Sequence, residues 1–238
     1  MHKDLKKIKD LESAPRVIKN FINPEEVDQF LKLYTSLPVA VNNLKQKVIK
    51  RRWTDGFGKD LENLFKTRLK SIIGDFKMDN LINEDGKECF GLFQESYNPL
   101  KLHVDAGFNL KDTIYKQTLI PLSEHGETII FKNRFYGVST NFTKNKDELL
   151  ENNPENFKKG KNARSNEHLN IFSDKPFSEN DHNKYLKHED LENLRGLEIE
   201  LVYKWNLGDL LIFDRTNLHC SSSNIINKKI GLTTFTKK

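Results

Sequence analysis

The stretch LKLHVDAGF, residues 100–108, decides how the rest of the chain is read. It sets His103 and Asp105 two positions apart, between apolar residues and just ahead of Gly107. In an extended strand, residues two apart project to the same side. His103 and Asp105 then share one face, and Leu102 and Val104 share the other. Spacing alone does not separate a metal site from an ordinary strand. A chain with 7 His and 34 Asp+Glu makes such pairs by chance, and this one holds four: His2/Asp4, His103/Asp105, His125/Glu127 and His188/Asp190. His2/Asp4 lies at a frayed end. His188/Asp190 falls in a helical tail, where residues two apart diverge. His125/Glu127, in SEHGET (123–128), is the serious rival but reads as an exposed turn between strands.

Outward from this stretch the texture is that of short strands. CFGLFQESY (89–97), KQTLIPLSE (116–124) and ETIIFKNRF (127–135) surround it, and LEIELVYKW (197–205), GDLLIFD (208–214) and KKIGLTTFT (228–236) resume later. EDGK (84–87) carries an Asp-Gly turn signal ahead of the first of them. The first third reads helical. NPEEVDQFLKLYTSL (23–37) has Asn23 as N-cap, Pro24 at the first helical position and Glu26 at the third, followed by Val27, Phe30, Leu31 and Tyr34 at helical spacing. KDLENLFKTRLKSIIG (59–74) carries an apolar stripe through Leu61, Leu64, Phe65, Leu69, Ile72 and Ile73, with Gly74 as a C-terminal cap. Between the strand groups, residues 137–190 are polar and rich in Asn and Lys, a long loop with a short helix in NKYLKHEDLENLRG (183–196). The fold class expected is mainly β with flanking helices. One domain, 1–238, divides into a helical support region (1–77), a jelly-roll core (78–136 and 191–238) and a polar insert (137–190).

With 36% hydrophobic residues, 16 Phe among them, the chain can fill a sizeable core, which excludes global disorder. No apolar run approaches the roughly 20 residues needed to span a bilayer, and the first residues, MHKDLKKIKDLESAP, lack the apolar segment of a secretory signal. Two cysteines, Cys89 and Cys220, indicate no disulfide framework; the expectation is a cytoplasmic protein with both reduced. The net charge is +5, with one basic cluster in LKQKVIKRRW (44–53) that reads first as a solvated face and second as a contact for an anionic partner, nucleic acid included.

A three-ligand metal site needs a third group from a distant strand. His219 is the candidate, because it follows the apolar strand and short turn of WNLGDLLIFDRTNLH (205–219). Two imidazoles and one carboxylate on one face of an octahedron suit Fe(II), with three positions open. These residues resemble the 2-oxoglutarate- and Fe(II)-dependent dioxygenase superfamily, most closely its prolyl-4-hydroxylase-like branch. The signature is His-x-Asp, a distal His and a basic residue about ten positions on, here His103-Val104-Asp105, His219 and Lys229, with Lys228 adjacent. FQESYNPLKLHVD supplies a strand-end Tyr97, and HGET (125–128) stands for the family's Gly-Gly-Glu-Thr turn, with His125 in place of the first Gly.

The resemblance implies a double-stranded β-helix (a cupin-like jelly roll) with N-terminal supporting helices. It implies Fe(II) on His103, Asp105 and His219, and the far carboxylate of 2-oxoglutarate on Lys229, with Thr128 and Tyr97 beside it. It implies O₂ as oxidant, ascorbate as a candidate accessory reductant, and hydroxylation of a substrate C–H bond coupled to decarboxylation of 2-oxoglutarate to succinate and CO₂. Gly231 is expected to leave room for the co-substrate. The primary substrate stays open between a protein or peptide side chain, proline first, and a small metabolite or nucleic-acid base. A non-catalytic jelly-roll binding module is the alternative of a different class. No membrane partner is expected.

Overall fold

The computed structural model describes residues 1–45, 47–82, 88–107, 109–143, 161–163 and 173–238. In chain order, the N-terminal part holds helix α1 (Leu5–Asp10), strand β1 (Arg16–Ile18), helix α2 (Pro24–Ser36), strands β2 (Val39–Asn43) and β3 (Val48–Thr54), and helix α3 (Lys59–Ile73). Strands β4 (Lys77–Met78), β5 (Leu81–Ile82), β6 (Glu88–Ser96), β7 (His103–Val104), β8 (Ile114–Pro121), β9 (Glu127–Arg134), β10 (Thr140–Thr143) and β11 (Lys161–Ala163) follow. Helix α4 (Glu179–Tyr185) and a 3₁₀ turn (Leu191–Leu194) precede strands β12 (Ile199–Lys204), β13 (Leu210–Asp214), β14 (Asn217–Ser221) and β15 (Lys229–Lys237).

Two sheets face one another. The larger runs β1-β13-β8-β15-β6-β3-β2, with β4 on β15 and β5 on β6; the smaller runs β11-β10-β7-β14-β9-β12. All pairings are antiparallel except β10 with β11. This is the expected jelly roll.

The helices α2 and α3 cover the outer face of the larger sheet. Asn23 and Glu26 form the reciprocal capping box that the sequence predicts, at 2.9 and 2.8 Å, and α3 ends at Gly74 with φ +73°. Val27, Phe30 and Tyr34 of α2 and Phe65, Leu69 and Ile73 of α3 are buried against Trp53 of β3 and Phe90 and Phe93 of β6. The Trp53 ring, fully buried, packs edge-on against Phe30 (5.7 Å) and Phe90 (4.7 Å). Trp53→Ala should therefore cost about 3–5 kcal/mol, read as a lowered urea midpoint at unchanged slope.

Three expectations need correction. The first third is not purely helical: β2 and β3 form a hairpin that extends the larger sheet beyond β6. Its cationic residues hide a strand, because alternation rather than polarity sets which side chains turn inward. NKYLKHEDLENLRG is not one helix. α4 ends at Tyr185, and Asp190 caps a separate 3₁₀ turn. Glu189 turns inward between them and accepts the Leu102 N–H at 2.6 Å. The insert also contributes β10, which pairs with β7, the strand that carries His103. The EDGK turn and most of 144–172 lie outside the described residues, although β5 and β6 on either side of that turn pair antiparallel.

Candidate metal centre

His103 sits on β7, and Asp105 follows at its end. His219 lies on β14, a strand rather than the turn expected, and its Cα is the antiparallel partner of His103. One ligand atom from each of the three residues lies within 4.8 Å of the others. Asp105 Oδ2 is 3.7 Å from His103 Nε2 and 3.4 Å from His219 Nε2. Leu102 and Val104 point the opposite way into a second apolar core with Phe131, Phe142 and Cys220, as strand alternation requires.

The imidazoles are oriented from behind. His103 Nδ1 meets the Lys101 carbonyl at 2.7 Å and His219 Nδ1 meets the Asn217 carbonyl at 3.0 Å. A carbonyl only accepts, so Nδ1 carries a proton in both rings, and Nε2 is the nitrogen turned toward Asp105. Burial, reinforced by the neighbouring His219, pushes the His103 pKa down to about 4. Burial alone would raise the Asp105 carboxyl, but His103 and His219 outweigh it and hold the group well below the usual range. Gln117 of β8 donates to Asp105 Oδ2 at 2.9 Å. Arg215, 1% exposed, donates from Nε to the Asp105 carbonyl at 3.1 Å and pairs with Asp79 at 2.5 Å. Gly107 has φ +82°, and a Cβ there would come within 2.8 Å of the Arg215 guanidinium. The chain beyond β7 thus turns at a backbone conformation that favours glycine.

The centre opens into a cavity of about 1020 Å³ between the sheets. Lys229, Gly231, Thr233 and Phe235 line it from alternate positions of β15. Lys229 is 3% exposed; its ammonium hydrogen-bonds the Ser221 hydroxyl and lies 4.9 Å over the Trp205 ring. Burial lowers its pKa to about 8. Trp205 Nε1 donates to Thr128 Oγ1 at 2.9 Å, which leaves the Thr128 hydroxyl proton for another acceptor. Lys228 points elsewhere, half-exposed and 3.6 Å from Glu95. Of the two lysines, Lys229 is the one in the cavity.

Two site expectations change. Tyr97 does not line the cavity: it is 42% exposed and donates to Glu95 at 2.6 Å. The reason is alternation, since Leu92, Gln94 and Ser96 of β6 face the cavity and Tyr97 follows the opposite parity. Gly231 does not leave open space, because Trp205 and Leu119 fill it, within 3.0 and 2.9 Å of where a Cβ would be. The rival pairs form no cluster. His125 is exposed with φ +68°, Glu127 binds Ser222 and Asn224, His2 binds the Gly137 carbonyl, and His188 binds Ser223. Among the described residues, His103, Asp105 and His219 are the one such group. Sequence reasoning missed Gln117, Trp205 and Arg215. Each is a single residue on a strand or at its end, with no spacing signal to mark it.

No family model and no curated protein matches the sequence. Solved structures do match. An oxidoreductase of the 2OG-Fe(II) oxygenase family from Burkholderia pseudomallei superposes with a TM-score of 0.50 at 10% identity, over 100% of this chain and 92% of its own. HygX from Streptomyces hygroscopicus, solved with nickel, 2-oxoglutarate and hygromycin B, gives 0.51 at 12% identity, covering 100% and 87%. The non-heme α-ketoglutarate-dependent carbocyclase SnoK of nogalamycin biosynthesis gives 0.51 at 9% identity, covering 100% and 84%. The chain has the jelly-roll fold of the 2-oxoglutarate/Fe(II) oxygenases.

Proposed function

We propose that the chain is an Fe(II)- and 2-oxoglutarate-dependent dioxygenase that hydroxylates a substrate C–H bond. The observation that carries this reading is the joint placement, in one cavity, of two imidazole Nε2 nitrogens, one carboxylate and a buried lysine with no carboxylate partner among the described residues. The donor set fits the metal: two imidazoles and one carboxylate are the ligand types that would hold Fe(II) and leave it open to a keto acid. His103, Asp105 and His219 would hold the iron, which would supply the oxidative decarboxylation of 2-oxoglutarate and the hydroxylation coupled to it.

The chain's own residues supply the rest. Lys229 provides a cation for the far carboxylate in a poorly solvated pocket, where a charge-assisted contact is strong. Thr128 donates its free hydroxyl proton to the same group. Trp205 holds both, through its indole N–H and the face of its ring. Phe213, 4.9 Å edge-on to His219, shields that ligand from water. Gln117 fixes the Asp105 carboxylate. Gln117→Leu should lower Fe(II) affinity by about 10–100-fold, read by metal titration.

Anaerobic addition of Fe(II) and 2-oxoglutarate should give a weak visible charge-transfer band, absent in His103→Ala. No band and no bound iron would favour the non-catalytic jelly-roll module. A prolyl peptide is the first substrate to test, from the sequence resemblance. A small metabolite is the second reading, favoured by the cation-lined cavity. The basic cluster behind the nucleic-acid reading is not one surface, since Lys50 lines the cavity while Arg51 hydrogen-bonds the Leu37 carbonyl and stacks on Tyr34.

A further inference from the structure

The cluster LKQKVIKRRW reads in sequence as a solvated face, yet its strand β3 turns Val48 and Lys50 into the cavity. Register places Lys50 exactly with respect to its neighbours. It lies opposite Gln94, which lies opposite Gly231, while the next row holds Val48, Ser96 and Lys229. Lys50 is thus two strands and one pleat repeat from Lys229, about 12 Å between backbones. It cannot duplicate the Lys229 contact to one small carboxylate.

The cavity is unbalanced in charge. Among its described lining residues, Lys45, Lys50, Lys101, Arg215 and Lys229 are cationic, and Asp105 alone is acidic. Arg215 is neutralised by Asp79. With Fe(II) and the 2-oxoglutarate dianion in place, the metal, Asp105, the keto acid and Lys229 sum to zero. Lys45, Lys50 and Lys101 are left over; Lys45 and Lys101 are exposed to solvent, whereas Lys50 is half-buried and its ammonium has no hydrogen bond or ion pair among the described residues. A partly desolvated ammonium without a counter-charge is costly. Its charge also reaches the centre: it acts on His103 and is drawn on by Asp105, while burial pulls its own pKa down.

We propose that Lys50, beside Gln94, forms an anion subsite, and that the primary substrate carries a carboxylate or phosphate group that it receives. This rests on the oxygenase reading above and names its substrate class.

The test loads wild type, Lys50→Met and Lys50→Arg with Mn(II), which binds without turnover, and 2-oxoglutarate, and measures binding by calorimetry. The probes are N-acetylglutamate against N-acetylglutamine for a carboxylate, and glycerol 3-phosphate against glycerol for a phosphate. In wild type, one acid should bind about tenfold or more tighter than its neutral partner, the value of a charge-assisted hydrogen bond. The pair that shows the preference identifies the group. Lys50→Met should erase the preference, Lys50→Arg should keep it, and 2-oxoglutarate affinity should stay within about twofold in both. Equal binding of acid and neutral probe in wild type overturns the proposal, as does a preference that survives in Lys50→Met. Loss of 2-oxoglutarate binding in Lys50→Met also overturns it, since Lys50 would then serve the co-substrate. If wild type fails to bind 2-oxoglutarate, the oxygenase reading falls, and the same probes on the unloaded protein still decide the subsite.

Discussion

His103→Ala and Asp105→Ala are each expected to abolish iron-dependent turnover, and with it the visible band of the Fe(II)–2-oxoglutarate complex. The effect should exceed the roughly 10–100-fold loss that follows from disturbing an outer contact such as Gln117. The carboxylate is shared between two imidazoles at 3.7 and 3.4 Å, so removing any one member leaves a two-donor site. Retained turnover in both variants would sink the metal assignment. The pH dependence has a defined sign. A metal takes the neutral imidazole. Burial, with His219 beside it, holds His103 neutral down to about pH 4, against an ordinary value of 6.5. Iron affinity should therefore not fall through His103 between pH 7 and 5, and should fall only as pH approaches about 4. A loss centred near pH 6.5 would show His103 in an ordinary aqueous setting.

Lys229→Ala should weaken 2-oxoglutarate binding by roughly ten- to hundredfold, the value of a hydrogen-bonded contact between charged groups. Iron affinity should be unchanged, because Lys229 touches Ser221 and Trp205 rather than the ligands. Unchanged 2-oxoglutarate affinity would point to another anchor, though Lys228 is already occupied with Glu95. Burial lowers the Lys229 pKa from 10.5 to about 8, so the free pocket loses its cation as pH rises through that value. Binding needs the ammonium. Affinity should hold below about pH 8 and then fall by up to about tenfold per pH unit. Lys229→Arg should flatten this fall, since a guanidinium stays charged throughout. A profile that is flat in wild type would show that the lysine is not the anchor.

Local chemistry was legible in the sequence wherever it acts over a few residues. The Asn23–Glu26 capping box, the apolar stripe of α3 and its Gly74 cap depend on contacts three or four residues apart, and they appear as read. The two-residue spacing of His103 and Asp105 likewise follows from the period of a strand. Residues whose role depends on which sheet face they occupy were not legible. Tyr97 was assigned to the pocket, but one step of parity on β6 turns it to the helix side. Arg51 and Lys50 are neighbours in one basic run, and the same parity sends one to Tyr34 and the other into the cavity.

Trp205 and Arg215 belong to this second group. Trp205 acts through Thr128 on a neighbouring strand of the smaller sheet and Lys229 in the larger one, and Arg215 through Asp79, more than a hundred residues away. The sequence by itself determined the strand-rich fold and the supporting helices, and its resemblance singled out His103, Asp105, His219 and Lys229, which the structure brings into one cavity. Only the tertiary structure decided that Tyr97 stays outside and that Gln117, Trp205 and Lys50 join them, because register and sheet pairing are set by contacts between segments that no local pattern records.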